Sequence, residues 1–236
     1  MKIGCLSDAH LCAGDPPEKD VLLYATLVHL LGRCDHIVVA GDFLEMYKRL
    51  GGRRRHFKKV AAAYPRTFDL IYRYWHKFSF LEGNHDDGCL AMIPRVHPVE
   101  YLRCDGWLFF HGHQADIFFA RRTIEKLSES LIKFVFRAEA WVAGRTKFRM
   151  SEWFAGHQSR NQSGVERLAD YARANLENDC FLDGVVCGHT HIIHGMHMPS
   201  GGDYFNLGTY QNGDVWILDT ETNALERVGG GHDGTH

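Results

Sequence analysis

The sequence predicts an α/β fold, and two observations support this prediction. In the first half of the chain, short apolar runs of strand length alternate with segments of helical spacing. Beyond residue 190, short alternating runs are separated by glycine-containing turns, which is typical of antiparallel strands. We therefore expect strands that are mostly parallel in the first half of the chain and antiparallel near its end.

The individual elements follow from these runs. Buried strands are predicted at 3–7, 36–40, 78–81, 107–110 and 184–187. Helices are predicted over 18–31 and about 57–75, and in the first of these the helical spacing relates Val21, Leu22, Ala25, Val28 and Leu31. The short C-terminal strands are predicted at 192–198, 203–207, 214–219 and 225–228.

The connection between residues 112 and 183 is too long for a structureless loop in a compact domain. It has helical spacing instead, for example at Leu168, Tyr171, Ala172 and Leu176, and Ser163 with Glu166 matches a capping box. We expect a helical insertion over about 115–180, packed over or beside the functional edge of the sheet. The prediction is one domain over residues 1–228, followed by a flexible glycine-rich tail over 229–236.

Composition predicts a cytoplasmic globular protein. A hydrophobic share of 45% with 24% charged residues is typical of soluble domains, and a net charge of -2 predicts no polyanion partner from global charge. The seven cysteines are odd in number and include no Cys-x-x-Cys pair, so neither a disulfide framework nor a zinc ribbon is expected. We find no signal-peptide core and no run of 18 apolar residues, so no membrane span is predicted.

Five short polar motifs each follow a predicted strand. They are Asp8-Ala9-His10, Gly41-Asp42-Phe43-Leu44-Glu45, Gly83-Asn84-His85-Asp86, His111-Gly112-His113 and Gly188-His189-Thr190-His191. Each motif is weak alone, since single Asp-x-His or Gly-Asn-His patterns also occur in turns and at strand ends. Because ligands gather at the carboxyl ends of strands in α/β sheets, all five are expected to meet at one edge.

In this order the motifs resemble the calcineurin-like metallophosphoesterase family, from Asp8 to about Gly213. The resemblance implies an αββα two-sheet sandwich and an enzyme that hydrolyses phosphoesters with two divalent metal ions. It assigns seven ligands to these ions: Asp8, His10 and His191 to one, Asn84, His111 and His189 to the other, and a bridging Asp42 to both. A non-enzymatic binding scaffold on the same fold is the alternative, and the presence of all seven ligand types disfavours it.

The chemistry of these ligands fits the implied reaction. Mn²⁺ accepts carboxylate, imidazole and amide oxygen together and is the expected ion, with Fe, Zn and Mg as alternatives. The resemblance implies a hydroxide that bridges the two ions and attacks phosphorus. Two ions, two carboxylates and this hydroxide leave about one net positive charge, which attracts an anionic phosphoester.

Two further residues are implied in catalysis. His85 is expected to contact the phosphoryl group, together with Asn84, and to protonate the leaving oxygen. Glu45 is expected to pair with His85, at a position where the family usually has Asp, and Asp86 is the competing partner. We assign no ligand role to His113, His157, His194 and His197, which are expected to be surface or supporting groups.

The layout resembles the UDP-2,3-diacylglucosamine pyrophosphatase-like branch of the family. That branch also has a helical insertion before the last histidine motif and a segment similar to Phe205-Asn206-Leu207-Gly208. The segment Glu45-Met46-Tyr47 departs from the protein Ser/Thr phosphatases and the purple acid phosphatases. Since the lipid A pathway enzymes of the branch have Arg where His85 stands, the lipid substrate is left open.

Local charge bears on the substrate. Residues 48–59 contain seven Lys or Arg and no acid, and residues 121–149 contain eight basic and three acidic residues with interleaved aromatic side chains. Arg121 and Arg122 are candidates for substrate binding. A UDP-linked lipid or sugar at the inner membrane face is the first expectation, and a nuclease or nucleotide phosphodiesterase is the second. For the charge of these segments itself, a solvated face without a partner is an equal alternative. No obligate protein partner is predicted.

Overall fold

The computed structural model describes residues 1–48, 51–115, 162–199 and 201–229 of the chain. In chain order the strands are β1 (Lys2–Leu6), β2 (His36–Val39), β3 (Phe78–Phe80), β4 (Tyr101–Cys104), β5 (Trp107–Phe110), β6 (Gly184–Cys187), β7 (Ile193–His197), β8 (Asp203–Leu207), β9 (Val215–Asp219) and β10 (Ala224–Gly229). The helices are α1 (Pro17–Arg33), α2 (Arg53–Ala63), α3 (Pro65–Arg73) and α4 (Gln162–Asn178).

The strands form two five-stranded sheets. The first has the order β10-β9-β1-β2-β3, and the second has the order β4-β5-β6-β8-β7. β1, β2 and β3 are parallel, and so are β5, β6 and β8. The expected antiparallel pairs near the C-terminus are present as β7 with β8 and β9 with β10, although β8 also lies parallel to β6.

Alternation along the strands builds a four-layer sandwich. In β1, Ile3 and Cys5 face the second sheet, where Trp107 and Phe109 of β5 pack against them. Leu6 of β1 points the other way, into a cluster with the α1 side chains Leu23, Leu27 and Leu30. On the outer face of the second sheet, β5 and β6 pack against Leu168, Ala172 and Leu176 of α4. This arrangement confirms the predicted αββα fold class.

The buried face of α1 differs from the predicted one. Val21, Leu22 and Val28 are 44%, 64% and 43% exposed, whereas Leu23, Leu27 and Leu30 are buried. Both sets of leucines and valines have helical spacing, so spacing alone did not identify the core face. Leu23, Leu27 and Leu30 are buried because they contact the face of the first sheet that points away from the second sheet.

The single helix predicted over about 57–75 is wrong, because α2 ends at Ala63 and α3 begins at Pro65. Tyr64 between them has φ -124° and ψ 52°, outside the helical range. A proline disfavours helical geometry in the residue before it and lacks an amide hydrogen, but it is accepted as the first residue of a helix. The sequence signal for this break, Tyr64-Pro65, was present.

β4 and α4 both belong to the half of the sandwich that contains the second sheet. β4 was not predicted, because its side chains alternate between exposed and half-buried positions and do not form an apolar run. Of the predicted insertion, residues 162–178 form α4, which begins one residue before Ser163, and residues 116–161 lie outside the described part of the chain. Every described helix is too short or too polar to cross a bilayer. Within the described residues none of the seven cysteines forms a disulfide bond.

Candidate metal centre

The five motifs meet where five parallel strands end. Asp8, Asp42 and Asn84 follow β1, β2 and β3 of the first sheet, and His111 and His189 follow β5 and β6 of the second. Backbone hydrogen bonds tie the loops together: the His10 amide donates to the Asp42 carbonyl at 2.9 Å, and the Gly188 amide donates to the His111 carbonyl at 2.9 Å. The facing carboxyl edges of both sheets thereby form one site.

The first cluster contains Asp8, His10 and His191. The Nε2 atom of His191 lies 3.0 Å from Asp8 Oδ1, and the Nε2 atom of His10 lies 3.3 Å from that of His191. One nitrogen or oxygen atom from each of the three side chains lies within 4.8 Å of the others. Such a group of one carboxylate and two imidazoles is able to bind one divalent cation.

The second cluster contains Asp42, His111 and His189. The Oδ2 atom of Asp42 lies 3.2 Å from His111 Nε2, and the His111 and His189 ring centroids are 5.0 Å apart. The same Oδ2 atom lies 3.9 Å from Nε2 of His10 in the first cluster. Asp42 therefore stands between the two clusters, as a residue that serves two cations must.

Three buried atoms in this site make no well-aligned hydrogen bond within the described part of the chain: Asn84 Oδ1 and, despite their short contacts with His191 and Asp42, Asp8 Oδ1 and His111 Nε2. A buried polar atom without a partner is destabilising, so native proteins rarely retain one without a further ligand. All three atoms are lone-pair donors of the kinds that bind divalent metals. The donor set therefore fits divalent metal ions.

Neighbouring groups aim the candidate ligand atoms. Asp8 Oδ2 accepts hydrogen bonds from the Ser7 hydroxyl and, at 3.0 Å, from the His189 amide, which leaves Oδ1 toward His191. Asp42 Oδ1 accepts from the His85 amide at 2.8 Å, which leaves Oδ2 toward the histidines.

The imidazole of His111 is fixed in the same way. Its Nδ1–H donates to the Ala40 carbonyl at 2.9 Å, and since a carbonyl only accepts, Nε2 is the nitrogen that presents a lone pair. Supporting hydrogen bonds of this kind are typical of metal sites.

The site is also a region of backbone strain. Asp8, His10, Asp42, His189 and His191 all have positive φ values, from 48° to 75°. The left-handed conformation is unfavourable for non-glycine residues and persists where surrounding contacts enforce it, most often at functional sites. The loops are therefore built to place these side chains rather than to relax their own backbone.

Gly188 is required by close packing beneath Asp8. A Cβ at this position would overlap Ser7 Oγ and lie 2.5 Å from Asp8 Oδ2. We expect Gly188→Ala to displace the Asp8 carboxylate and to weaken metal binding about tenfold or more, the usual effect of disturbing a supporting contact. Titration of the chelated protein with Mn²⁺ would measure this. The matched control is Gly32→Ala, whose Cβ has no atom within 4 Å; equal affinities of the two variants would contradict the expectation.

Glu45 and His85 form a pair beside the clusters. His85 Nδ1 lies 3.1 and 3.2 Å from the two Glu45 oxygens, and the Glu45 side chain is buried. Burial lowers the pKa of His85, but Glu45 and Asp42 outweigh it and raise this pKa to about 9. Burial raises the pKa of Glu45, and His85 outweighs it and lowers that pKa to about 2. Each group thus favours the charged form of the other.

Asp86, the competing partner, has a different place in the structure. Its Oδ1 accepts from the Leu44 amide at 2.7 Å and its Oδ2 accepts from the Gly83 amide at 2.8 Å. Both oxygens are thus used to hold the loops after β2 and β3 together. The longer Glu45 side chain reaches His85 because the Glu45 loop folds back, with the Tyr47 amide donating to Glu45 Oε1 at 3.1 Å.

Two further residues border the site: Tyr47, which sequence reasoning missed, and His113, which it left among the surface or supporting groups. The buried Tyr47 ring packs 4.4 Å from the His85 ring at an interplanar angle of 32°. His113 lies 5.5 Å from His111 and 6.4 Å from His189, measured between ring centroids, and burial together with these two histidines lowers its pKa to about 3. Only the spacing of two residues from Glu45 could have suggested Tyr47.

The remaining predicted residues lie elsewhere. The exposed His197 pairs with Asp203 at 2.8 Å, and the His194 ring lies 6.0 Å from that of Tyr204. His157, Arg121 and Arg122 lie outside the described part of the chain, so the role expected for the two arginines remains a prediction.

Comparisons with known proteins identify the family of this chain. The family model described as calcineurin-like phosphoesterase matches residues 1–192. A search of curated proteins found no significant match. Among solved structures, a dimetal phosphatase from Danio rerio is 10% identical, covers 92% of this chain and 91% of its own, and has a TM-score of 0.50. Yfce, a phosphoesterase from E. coli, is 14% identical with 95% and 96% coverage and a TM-score of 0.46.

Proposed function

Because this chain belongs to the calcineurin-like phosphoesterase family and is a metal-dependent phosphoester hydrolase, we propose that it cleaves a phosphodiester or pyrophosphate bond. The observation that carries this proposal is the pair of three-residue clusters that share one edge, with Asp42 between them. Two cations side by side suit the displacement at phosphorus, since both the attacking and leaving oxygens need stabilisation.

The family depends on a dinuclear metal centre, and we propose the ligands residue by residue. Asp8, His10 and His191 would hold one ion, Asn84, His111 and His189 the other, and Asp42 both. Mn²⁺ is the proposed ion, with Fe, Zn and Mg as alternatives that the same ligand types accept. When bound, the two ions supply a water that ionises near neutral pH and a positive field for the phosphoryl oxygens.

The chain's own charges complement an anionic substrate. Asp8 and Asp42 offset only two of the four positive charges that two divalent ions bring. The site therefore attracts a phosphoester and stabilises negative charge that grows in the transition state. Asn84 and His85, adjacent on the loop after β3, are proposed to contact the phosphoryl group.

We propose His85 as the proton donor to the leaving oxygen. Glu45 raises the pKa of His85 and thereby favours the protonated ring. Because Nδ1 is held by Glu45, Nε2–H is the proton for transfer. Glu45 is a positioning residue that keeps the ring charged and oriented, and Tyr47 restricts the ring from one face.

A pH profile tests the role of Glu45. Glu45→Gln removes the carboxylate that raises the His85 pKa, so His85 loses its proton at lower pH than in the wild type. We expect the alkaline limb of the kcat/KM profile to move to lower pH. The control is Glu18→Gln, which removes an exposed carboxylate from α1. An unmoved alkaline limb in Glu45→Gln would show that His85 does not act as the donor in this pairing.

The substrate proposal extends the family resemblance. A UDP-linked lipid or sugar, met from the cytoplasm at the inner membrane face, is the first candidate because the layout is similar to the pyrophosphatase-like branch. A polynucleotide or nucleotide phosphodiester is the second, and the basic segment 48–59 favours it. We further propose one domain over residues 1–228, with its insertion at about 115–180 and no obligate protein partner.

The first experiment compares two chromogenic esters on chelated protein to which Mn²⁺ is restored. We expect metal-dependent hydrolysis of bis-p-nitrophenyl phosphate, faster than that of p-nitrophenyl phosphate, because the proposed reaction is on a diester. A faster monoester reaction would contradict the diesterase proposal. Two bound metal ions with no turnover of either ester, or of nucleotide and UDP-linked substrates, would support the scaffold alternative.

A further inference from the structure

Four cations without acidic partners occupy the outward face of α2. Arg54, Arg55, Lys58 and Lys59 are all exposed, and because residues four apart lie on one side of a helix, they form one surface, the α2 basic face. Within the described part of the chain none of the four forms an ion pair. The sequence has no Asp or Glu from residue 46 to residue 68, so neighbours along the chain do not neutralise this face.

This charge pattern destabilises α2. The first turn of α2 contains three arginines and no acid, although the positive end of the helix dipole favours acids there. Arg54 with Lys58 and Arg55 with Lys59 place like charges four residues apart, which also destabilises a helix. Residues that destabilise their own helix without a compensating structural contact are expected at functional surfaces. An anion bound along the face would relieve both conflicts.

The opposite side of α2 is fastened to the candidate active site. Arg53 donates two hydrogen bonds to Asp87, at 2.9 and 3.1 Å, and Asp87 follows His85 by two residues. The buried His56 lies with Nε2 3.3 Å from the Glu45 carbonyl oxygen. The helix is therefore held against the two segments that carry Glu45 and His85, so an extended anion on its outer face can continue toward the site.

The composition of the face favours a phosphodiester chain over a membrane. The only exposed apolar residue of α2 is Ala62, because Val60 is buried and Phe57 is half-buried against the core. Membrane-surface helices insert large apolar side chains beside their cations. A nucleic acid backbone needs only cations along its path. The candidate ligands Asp8 and Asp42 are at most 2% exposed, and a single strand enters such a recessed site more readily than a duplex.

We propose that the α2 basic face binds the backbone of single-stranded nucleic acid and leads it to the candidate metal centre. This inference rests on the proposed phosphoesterase function and favours the second of its two substrate candidates, the polynucleotide. The face supplies affinity without sequence preference, since contacts to phosphates carry no base information.

Binding is measured on the chelated full-length protein, by the fluorescence anisotropy of a labelled single-stranded oligonucleotide. Four phosphate contacts predict a slope of about -2.8 in log K against log salt, or about a fifty-fold loss between about 50 and 200 mM salt. The variant Arg54→Gln/Arg55→Gln/Lys58→Gln/Lys59→Gln is expected to bind about tenfold or more weakly with a nearly flat slope. The control Lys19→Gln/Arg33→Gln/Arg73→Gln/Arg173→Gln removes the same charge from other faces and should bind like the wild type.

Three results would overturn the proposal: equal weakening in both quadruple variants, tighter binding of duplex than of single strand, or α2-dependent binding of phosphatidylserine vesicles without oligonucleotide binding. Hydrolysis is measured in a separate assay. The α2 variant should hydrolyse bis-p-nitrophenyl phosphate at the wild-type rate, because a small ester does not reach the α2 basic face. If the wild-type protein binds the oligonucleotide but cleaves no phosphoester, the proposed function is contradicted, while binding by the α2 basic face is still supported.

Stability gives an independent readout. Arg54→Glu puts an acid in the first turn of α2 and converts a like-charge pair with Lys58 into an opposite-charge pair. We expect a thermal midpoint at or above that of the wild type together with weaker oligonucleotide binding. A lowered midpoint would show that Arg54 has a structural role, and the proposal for this face would then fail.

Discussion

Replacing Asp42 by alanine is expected to abolish hydrolysis and to release metal from both clusters. Its Oδ2 atom lies 3.2 Å from His111 Nε2 and 3.9 Å from His10 Nε2, so no other described carboxylate faces a histidine of each cluster as closely. Loss of a shared ligand removes one negative charge from two cations at once. We expect a fall in kcat/KM of about a thousandfold or more, measured with bis-p-nitrophenyl phosphate, and a metal content well below two equivalents.

Two further variants keep this prediction decisive. Asp42→Asn retains an oxygen for the His85 amide, which donates to Asp42 Oδ1 at 2.8 Å, so the loop is supported while the charge is lost. Asp69→Ala removes an exposed carboxylate that pairs with Arg73 at 2.8 Å and should behave as the wild type. Two tightly bound metal ions in a folded Asp42→Asn protein would show that Asp42 is not shared.

Replacing His85 by alanine should leave both metal ions bound while turnover falls by about 10²–10⁴, the range of general acid catalysis. The ring is paired with Glu45 through Nδ1 and belongs to the loop after β3, next to the candidate ligand Asn84. The proton donated to a leaving oxygen matters most when that oxygen is strongly basic. The loss should therefore be larger on diphenyl phosphate than on bis-p-nitrophenyl phosphate, because p-nitrophenolate leaves readily without protonation.

The control for this variant is His76→Ala, which removes an exposed imidazole. Wild-type turnover by His85→Ala would disprove the assigned role. Equal losses on the two esters would show that His85 acts by binding the phosphoryl group rather than by proton donation. Loss of metal in His85→Ala would instead make it a ligand, a role that its proximity to His10 and Asp42 makes worth testing.

The sequence was informative wherever local pattern and tertiary demand agree. The strands at 3–7, 36–40, 107–110 and 184–187 are buried on both faces, and such strands must be apolar throughout. The position of each polar motif directly after such a run predicted that the motifs share an edge, and the structure places them there. Their roles as metal ligands remain predictions that the variants above test.

The sequence was misleading or left alternatives open where its local pattern gave no single answer. α1 has two apolar stripes, and only packing against the first sheet chose Leu23, Leu27 and Leu30 over Val21 and Leu22. β4 pairs with β5 at the edge of the second sheet, where half-exposed side chains give no apolar run. The partner of His85 depended on which carboxylate the loops left available, and backbone amides occupy both oxygens of Asp86.

The sequence alone determined the α/β class, the succession of core strands along the chain, and which side chains meet at the ends of these strands. Hydrophobic periodicity and motif position are local properties, so they can be found without the tertiary structure. Only the tertiary structure decided which face of α1 is buried, that Glu45 rather than Asp86 holds His85, and that the cations of α2 lie on one exposed face of a helix fastened beside Glu45 and His85. These outcomes depend on contacts between segments far apart in the chain, and such contacts are fixed by packing and hydrogen bonding rather than by local pattern.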